Sequence, residues 1–194
     1  MKGLSNYNNV ISICGSGRNV GKTFLGESII SQFSKQHCLI AIKISKFKHQ
    51  ARDKVGLHKF HETTHFTIWK ELNYTPKDSG RYLKAGAKAS YYIECDDDHL
   101  LNAFLFVYNI YGNSCLIVCE SASITKYIKP AISVFVESES YVTENNKLSC
   151  LNRSTLVLQE RSLEISMPEL FLNTQNKVWL LKFEKIKEDY AYFT

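Results

Sequence analysis

The stretch Gly15-Ser16-Gly17-Arg18-Asn19-Val20-Gly21-Lys22-Thr23 constrains this chain more than any other. Before it, residues 10–14 form a short apolar run that reads as a buried strand. After it, residues 23–33 carry Phe24, Leu25, Ile29, Ile30 and Phe33 at helical spacing. A second apolar run, 38–44, reads as another strand. Strand, loop, helix and strand make a βαβ unit, which implies a parallel sheet. Glycines let successive backbone N–H groups turn inward as a nest for an anion, and the following helix offers its positive end to the same anion. Lys22 is then a mobile point charge for the β- and γ-phosphates of a nucleotide, and the Thr23 hydroxyl is a ligand for Mg²⁺. Residues Gly15 to Thr23, with Phe24 behind them, are the candidate nucleotide-binding set. The strict pattern wants glycine five residues before Gly21. Ser16 stands there, flanked by Gly15 and Gly17.

The chain's 194 residues match one domain and can bury roughly 70% of the unfolded surface without a covalent staple. Hydrophobic residues at 44% and charged residues at 22% exclude disorder for the bulk of it. The net charge of +5 suits an anionic ligand but is too mild to argue for nucleic acid. Residues 1–9 are polar and lack the apolar stretch of a signal peptide. No apolar run reaches the roughly 18 residues of a membrane span. The six cysteines include no Cys-x-x-Cys pair, and most sit in apolar runs, as buried free thiols do. A reduced, cytoplasmic protein is expected, with no nucleic-acid or membrane partner.

The rest of the chain predicts an α/β fold, a mainly parallel sheet flanked by helices. Residues 80–89 read as a helix start and short helix, and 90–94, 114–119 and 131–137 as strands. Asp96-Asp97-Asp98 makes the acidic first turn of a helix over 99–111. Residues 46–77 are basic, hold four of the six histidines, and predict a long excursion with helix over 57–72. After Ser138 the pattern changes. Strands over 154–159, 163–167 and 177–183 predict a small antiparallel C-terminal appendage. Residues 1–140 are thus the nucleotide-binding core, and 141–194 a β-rich extension packed on the same domain.

His61-Glu62-Thr63-Thr64-His65 spells the zinc-protease pattern H-E-x-x-H, and His58 would share its helical face. Two threonines weaken such a helix, and no third ligand is placed, so the stretch reads as polar cover over the nucleotide cleft. Lys46, Lys48, Arg52, Lys54 and Lys59 read as a solvated basic stretch, with a phosphorylated ligand as the alternative. Lys43 ends the second strand, where open α/β sheets bind their ligands, and is a candidate catalytic residue beside Lys22. Glu120 ends a strand expected near the first and would bind Mg²⁺. Asp78 is a third acid for the metal or a helix cap, and Arg81 contacts phosphate or pairs with Asp78. No Asn-Lys-x-Asp or Thr-Lys-x-Asp motif reads a guanine, so GTP and ATP stay open. No Gly-x-Ser-x-Gly elbow supports a serine hydrolase.

The loop, with Val20 before Gly21, resembles that of the dethiobiotin synthetase group, in the SIMIBI class of P-loop proteins. Lys77-Asp78-Ser79-Gly80-Arg81-Tyr82-Leu83-Lys84-Ala85-Gly86-Ala87 resembles the Lys-Asp-Ser … Lys-Ala-Gly-Ala segment of the molybdopterin-guanine dinucleotide biosynthesis protein B family. Ile42-Lys43 resembles that family's Ile-Lys-His, and Leu116-Ile117-Val118-Cys119-Glu120 its strand ending in Val-Glu-Gly. The four come in the family's order and span residues 10–136. Ser45 and Ser121 depart from it, as does the length of 46–77. The resemblance implies a Mg²⁺-dependent GTP- or ATP-binding protein, a slow NTPase that assists attachment of a guanine nucleotide to molybdopterin. It also implies a partner enzyme and a homodimer. In dethiobiotin synthetases a lysine matching Lys43 contacts phosphate and substrate. That gives the alternative of an ATP-dependent ligase or small-molecule kinase. A P-loop module that binds without turnover is the third reading.

Overall fold

The computed structural model describes residues 4–47, 54–138, 145–163, 172–181 and 191–192. The chain opens with β1 (Asn6–Gly15), α1 (Lys22–Phe33) and β2 (Leu39–Lys46). A hairpin follows, β3 (Leu57–Glu62) and β4 (Phe66–Glu71), then α2 (Asp78–Lys84) and β5 (Ala89–Cys95). A 3₁₀ turn (Asp97–His99) leads into α3 (Leu100–Tyr111), β6 (Leu116–Glu120) and β7 (Lys129–Glu137). The remaining elements are α4 (Asn145–Leu151), β8 (Leu156–Gln159), β9 (Leu172–Gln175), β10 (Val178–Leu181) and β11 (Ala191–Tyr192).

The main sheet runs β11-β8-β7-β1-β6-β2-β5-β4-β3. From β8 to β5 every neighbouring pair is parallel, while β4, β3 and β11 are antiparallel edges. The parallel strands are covered on both faces, which is why β2 and β6 read as nearly unbroken apolar runs. On one face Ile11, Ile13, Val118, Val134 and Leu156 pack with Leu25, Ile29 and Ile30 of α1 and Tyr82 of α2. On the other, Ile40, Ile42, Ile93 and Ile117 pack with Leu100, Ala103, Phe104 and Val107 of α3. The chain leaves β1 for β2 in one direction, and β6 sits between them. It then leaves β6 for β7 on β1's opposite side. The two crossovers part beside β1, so its carboxyl end opens at a switch point, where doubly wound sheets bind ligands.

Three expectations change. Residues 57–72 form the β3–β4 hairpin instead of a helix. Thr63 drives the turn: its hydroxyl accepts from the His65 and Phe66 N–H groups, 3.2 and 3.1 Å away. Phe66, Thr67, Ile68 and Trp69 then suit a strand whose inner edge pairs with β5. Residues 154–159 extend the main sheet as β8, parallel to β7, instead of joining the appendage. The separate antiparallel sheet is β9–β10, turned by Asn176 and Lys177, both at positive φ. It packs on the α1 face through Trp179, whose indole stands edge-on to Phe33 and donates to the Asn9 carbonyl at 3.1 Å. Of the strand expected over 163–167, all but Leu163 lies outside the described residues, as do Lys48, Arg52 and residues 182–183. Finally, four cysteines are not free. Cys14 bonds Cys150, and Cys38 bonds Cys115, while Cys95 and Cys119 remain buried thiols. The apolar runs conceal these pairs because each joins segments far apart in sequence, 136 and 77 residues. Among the described residues, no helix is long and apolar enough to cross a membrane.

Candidate functional site

One register row crosses five strands at the mouth of the sheet. Ile13 of β1 lies opposite Glu120 of β6, Glu120 opposite Lys43 of β2, Lys43 opposite Tyr92 of β5, and Tyr92 opposite Trp69 of β4. Parallel pairing therefore sets Lys43 and Glu120 side by side, though 77 residues separate them. The Lys43 ammonium reaches Glu120 Oε1 at 2.8 Å and also bonds Asp78 at the start of α2. Burial alone would lower the Lys43 pKa, but the Glu120 and Asp78 carboxylates outweigh it and hold the value above that of a free lysine. For Asp78, burial pulls upward, and the Lys43 ammonium overrides it and holds the carboxyl below its ordinary value.

Glu120 is buried and carries further bonds. Its Oε2 accepts from the Thr23 hydroxyl at 3.2 Å and from the Tyr82 hydroxyl at 2.5 Å. Burial and the adjacent Glu120 charge push the Tyr82 phenol well above its usual pKa, so it stays a donor. Tyr82 lies over Gly26 of α1, where a Cβ would come within 2.7 Å of its ring. No sequence signal marked Tyr82. Only the three-dimensional fit of α2 against α1 gives it a role.

The loop from Gly15 to Gly21 joins this cluster to α1. Gly15 sits against the Val136 carbonyl, which a Cβ would approach to 2.6 Å. The Ser16 N–H donates to that carbonyl at 3.0 Å, and the Ser16 hydroxyl accepts from the Ser138 N–H at 3.0 Å. Serine thus replaces the expected glycine because its side chain caps the end of β7. Gly21 has φ of +89° and begins α1 with no side-chain cap and no acidic residue in the first turn. The Lys22 ammonium folds onto the Gly17 carbonyl. Arg18 and Asn19 are exposed at the loop tip, Val20 is buried in the core, and Phe24 is partly buried on the first turn.

The structure brings Lys22, Thr23, Lys43, Asp78 and Glu120 to one end of the sheet. Arg81 turns elsewhere: its guanidinium makes a two-pronged pair with Glu27 of α1. Thr23, Glu120 and Asp78 are an all-oxygen donor set, the chemistry a hard Mg²⁺ ion takes. Thr23 hydrogen-bonds Glu120, and Lys43 ties Glu120 and Asp78 together, so the three oxygen donors stand as one cluster.

Compared with protein-family models, curated proteins and solved structures, the chain matches none. The site rests on its own chemistry.

Beside Lys43 opens a cavity of about 350 Å³, lined by Lys43, Lys54, Leu57, Lys77, Asp78, Ser79 and Tyr92. The lining holds three lysines and one carboxylate. Lys54 is held over the Trp69 and Tyr92 rings and bonds Glu94 at 2.7 Å. Beneath it, burial raises the Glu71 pKa, against the opposing pull of the Ser79 hydroxyl bond and Lys77. Sequence had grouped Lys54 with a solvated stretch. Its neighbours across β4 and β5 make it part of a wall instead. The H-E-x-x-H residues lie on the hairpin, so no helical face aligns them. His61 stacks on Phe106 at 4.1 Å, while His65 stacks on His99 at 3.8 Å.

Proposed function

We propose that this chain binds a nucleoside triphosphate with Mg²⁺ at the carboxyl end of its parallel sheet. One observation carries the reading: Lys22 and Thr23 of α1, Lys43 of β2, Asp78 of α2 and Glu120 of β6, from four separate elements, converge where a glycine loop opens an uncapped helix. The loop amides and the α1 terminus would receive the phosphates. Lys22 would leave the Gly17 carbonyl for the β- and γ-phosphate oxygens. Thr23 and Glu120 would hold Mg²⁺, which when bound shields phosphate charge. Tyr82 would fix the Glu120 carboxylate in place, and Lys43 would neutralise charge on the terminal phosphoryl group. Assistance in attaching a guanine nucleotide to molybdopterin is the version of this reading that the loop and the 77–87 segment support by resemblance.

A second reading has its own support, the lysine-lined cavity next to Lys43. An anionic small molecule held there would stand beside the terminal phosphate, as a ligase or small-molecule kinase requires. Thermal unfolding with Mg²⁺ and millimolar GTP or ATP tests the site itself, with Lys22→Ala in parallel. Binding to the folded state adds about 2.7 kcal/mol at a hundredfold excess over Kd. A rise in Tm with GTP alone, lost in the variant, supports the molybdopterin-type role. A rise with ATP supports the ligase or kinase. No rise with either in the folded protein overturns both.

A further inference from the structure

We propose that His65, Asp96 and His99 form a site for one divalent transition-metal ion of the zinc type, separate from the phosphate loop. One ligand atom from each residue lies within 4.8 Å of the other two. His65 Nδ1 is 3.8 Å from Asp96 Oδ2. The backbone fixes this grouping. The Asp96 N–H donates to the His65 carbonyl at 3.2 Å, and the His99 N–H donates to the Asp96 carbonyl at 3.1 Å. The hairpin tip, the end of β5 and the turn before α3 are therefore tied by main chain, with the three side chains gathered above.

A second observation points to a ligand. His99 Nδ1 is buried and has no hydrogen-bond partner among the described residues. A buried ring nitrogen left unpaired costs free energy that coordination would recover. Charge favours a cation as well. Asp96, Asp97 and Asp98 are consecutive, and among the described residues Asp97 is paired with Lys46 at 2.9 Å. The donor set selects the metal class: imidazole suits zinc, copper, nickel and iron, whereas Mg²⁺ and Ca²⁺ take oxygen. Zinc–nitrogen bonds of about 2.0–2.1 Å need the three ligand atoms closer than they now stand. The two rings stack nearly parallel, at 3°, so one must also turn to aim its nitrogen at a shared ion. His65 and Asp96 are exposed and can make that movement. Three protein ligands leave a fourth position for water. Binding would fasten the β3–β4 hairpin to the start of α3.

The test is calorimetric titration of Zn²⁺ into the full-length protein, with Tm measured alongside. One ion should bind at micromolar Kd or tighter and raise Tm, and Mg²⁺ should not compete. His65→Ala and His99→Ala should each weaken binding by about tenfold or more. His61→Ala, on the same hairpin, should leave it intact, and so should Lys22→Ala. Asp96→Asn serves as a third variant should either histidine change impair folding. Co²⁺ should give a visible d–d absorption that the His65→Ala/His99→Ala double variant loses. Absence of Zn²⁺ binding in the wild type, or binding retained in the folded double variant, overturns the proposal.

Discussion

Lys43 is the residue on which the site's electrostatics turn. It neutralises two carboxylates, one of them buried, and its own stem is mostly covered. Removing it takes away the ammonium bonded to the buried Glu120 carboxylate and leaves, among the described side chains, the hydroxyls of Thr23 and Tyr82 bonded to it. Breaking one side of such a buried pair costs about 3 kcal/mol or more. Lys43→Met is therefore expected to lose about that much in urea unfolding at pH 7. The pH dependence follows from the two shifts. Asp78 is depressed, so its contribution exists above the ordinary carboxylate value of about 3.9 and fades as pH falls through the folded value. Lys43 is raised, so its contribution exists below about 10.4 and fades as pH rises through the folded value. The gap between wild type and variant should be flat between these limits and close at both ends. A gap of equal size at pH 3 and pH 7 would mean that packing, not charge, sets the loss.

At the scale of elements, the glycine loop before α1 and the β3–β4 hairpin differ in how openly the sequence announces them. The loop is marked by glycines, one of which a turn at positive φ needs. Gly21 is the clearest case, since its φ of +89° lies in the left-handed region and a Cβ would meet Leu163 Cδ1 at 2.4 Å. Gly21→Ala should destabilise by at least about 1–2 kcal/mol from the backbone alone. It should also weaken any Tm response to nucleotide more than the stability loss explains, because the strain falls at the start of α1. A variant with wild-type Tm and wild-type nucleotide response would show that the loop tolerates a side chain there. The hairpin was hidden because His58, His61 and His65 fall at helical spacing by coincidence. β4 runs for only six residues, and its burial does not alternate. Its pairing with β5, a contact no local pattern encodes, decides the matter. The same pairing turns Lys54 from a solvated charge into a cavity wall.

Across the whole molecule, the parallel core was legible because buried parallel strands are apolar runs punctuated by amphipathic helices. Lys43 and Glu120 were legible as candidates because both end such runs. What no run could reveal is which strands are neighbours, and therefore that β8 joins β7 or that distant cysteines meet. Cys14 lies at the end of β1, and Cys150 lies in α4, 136 residues later. Both side chains sit in one small apolar cluster with Phe135 and Val157. A cross-link spanning that much chain removes unfolded-state entropy worth about 4–5 kcal/mol in the loop-closure account. The second link, Cys38–Cys115, spans 77 residues and joins the chain ahead of β2 to that ahead of β6. Protein purified without reductant and denatured should therefore titrate two thiols of its six cysteines, those of Cys95 and Cys119. Reductant should lower Tm, and Cys150→Ser should reproduce a large share of that drop, since it opens the longer loop. Six reactive thiols in the freshly denatured protein would show that Cys14 and Cys150 pack together unbonded. The core between β1, β7 and α4 would then owe its stability to apolar contact alone.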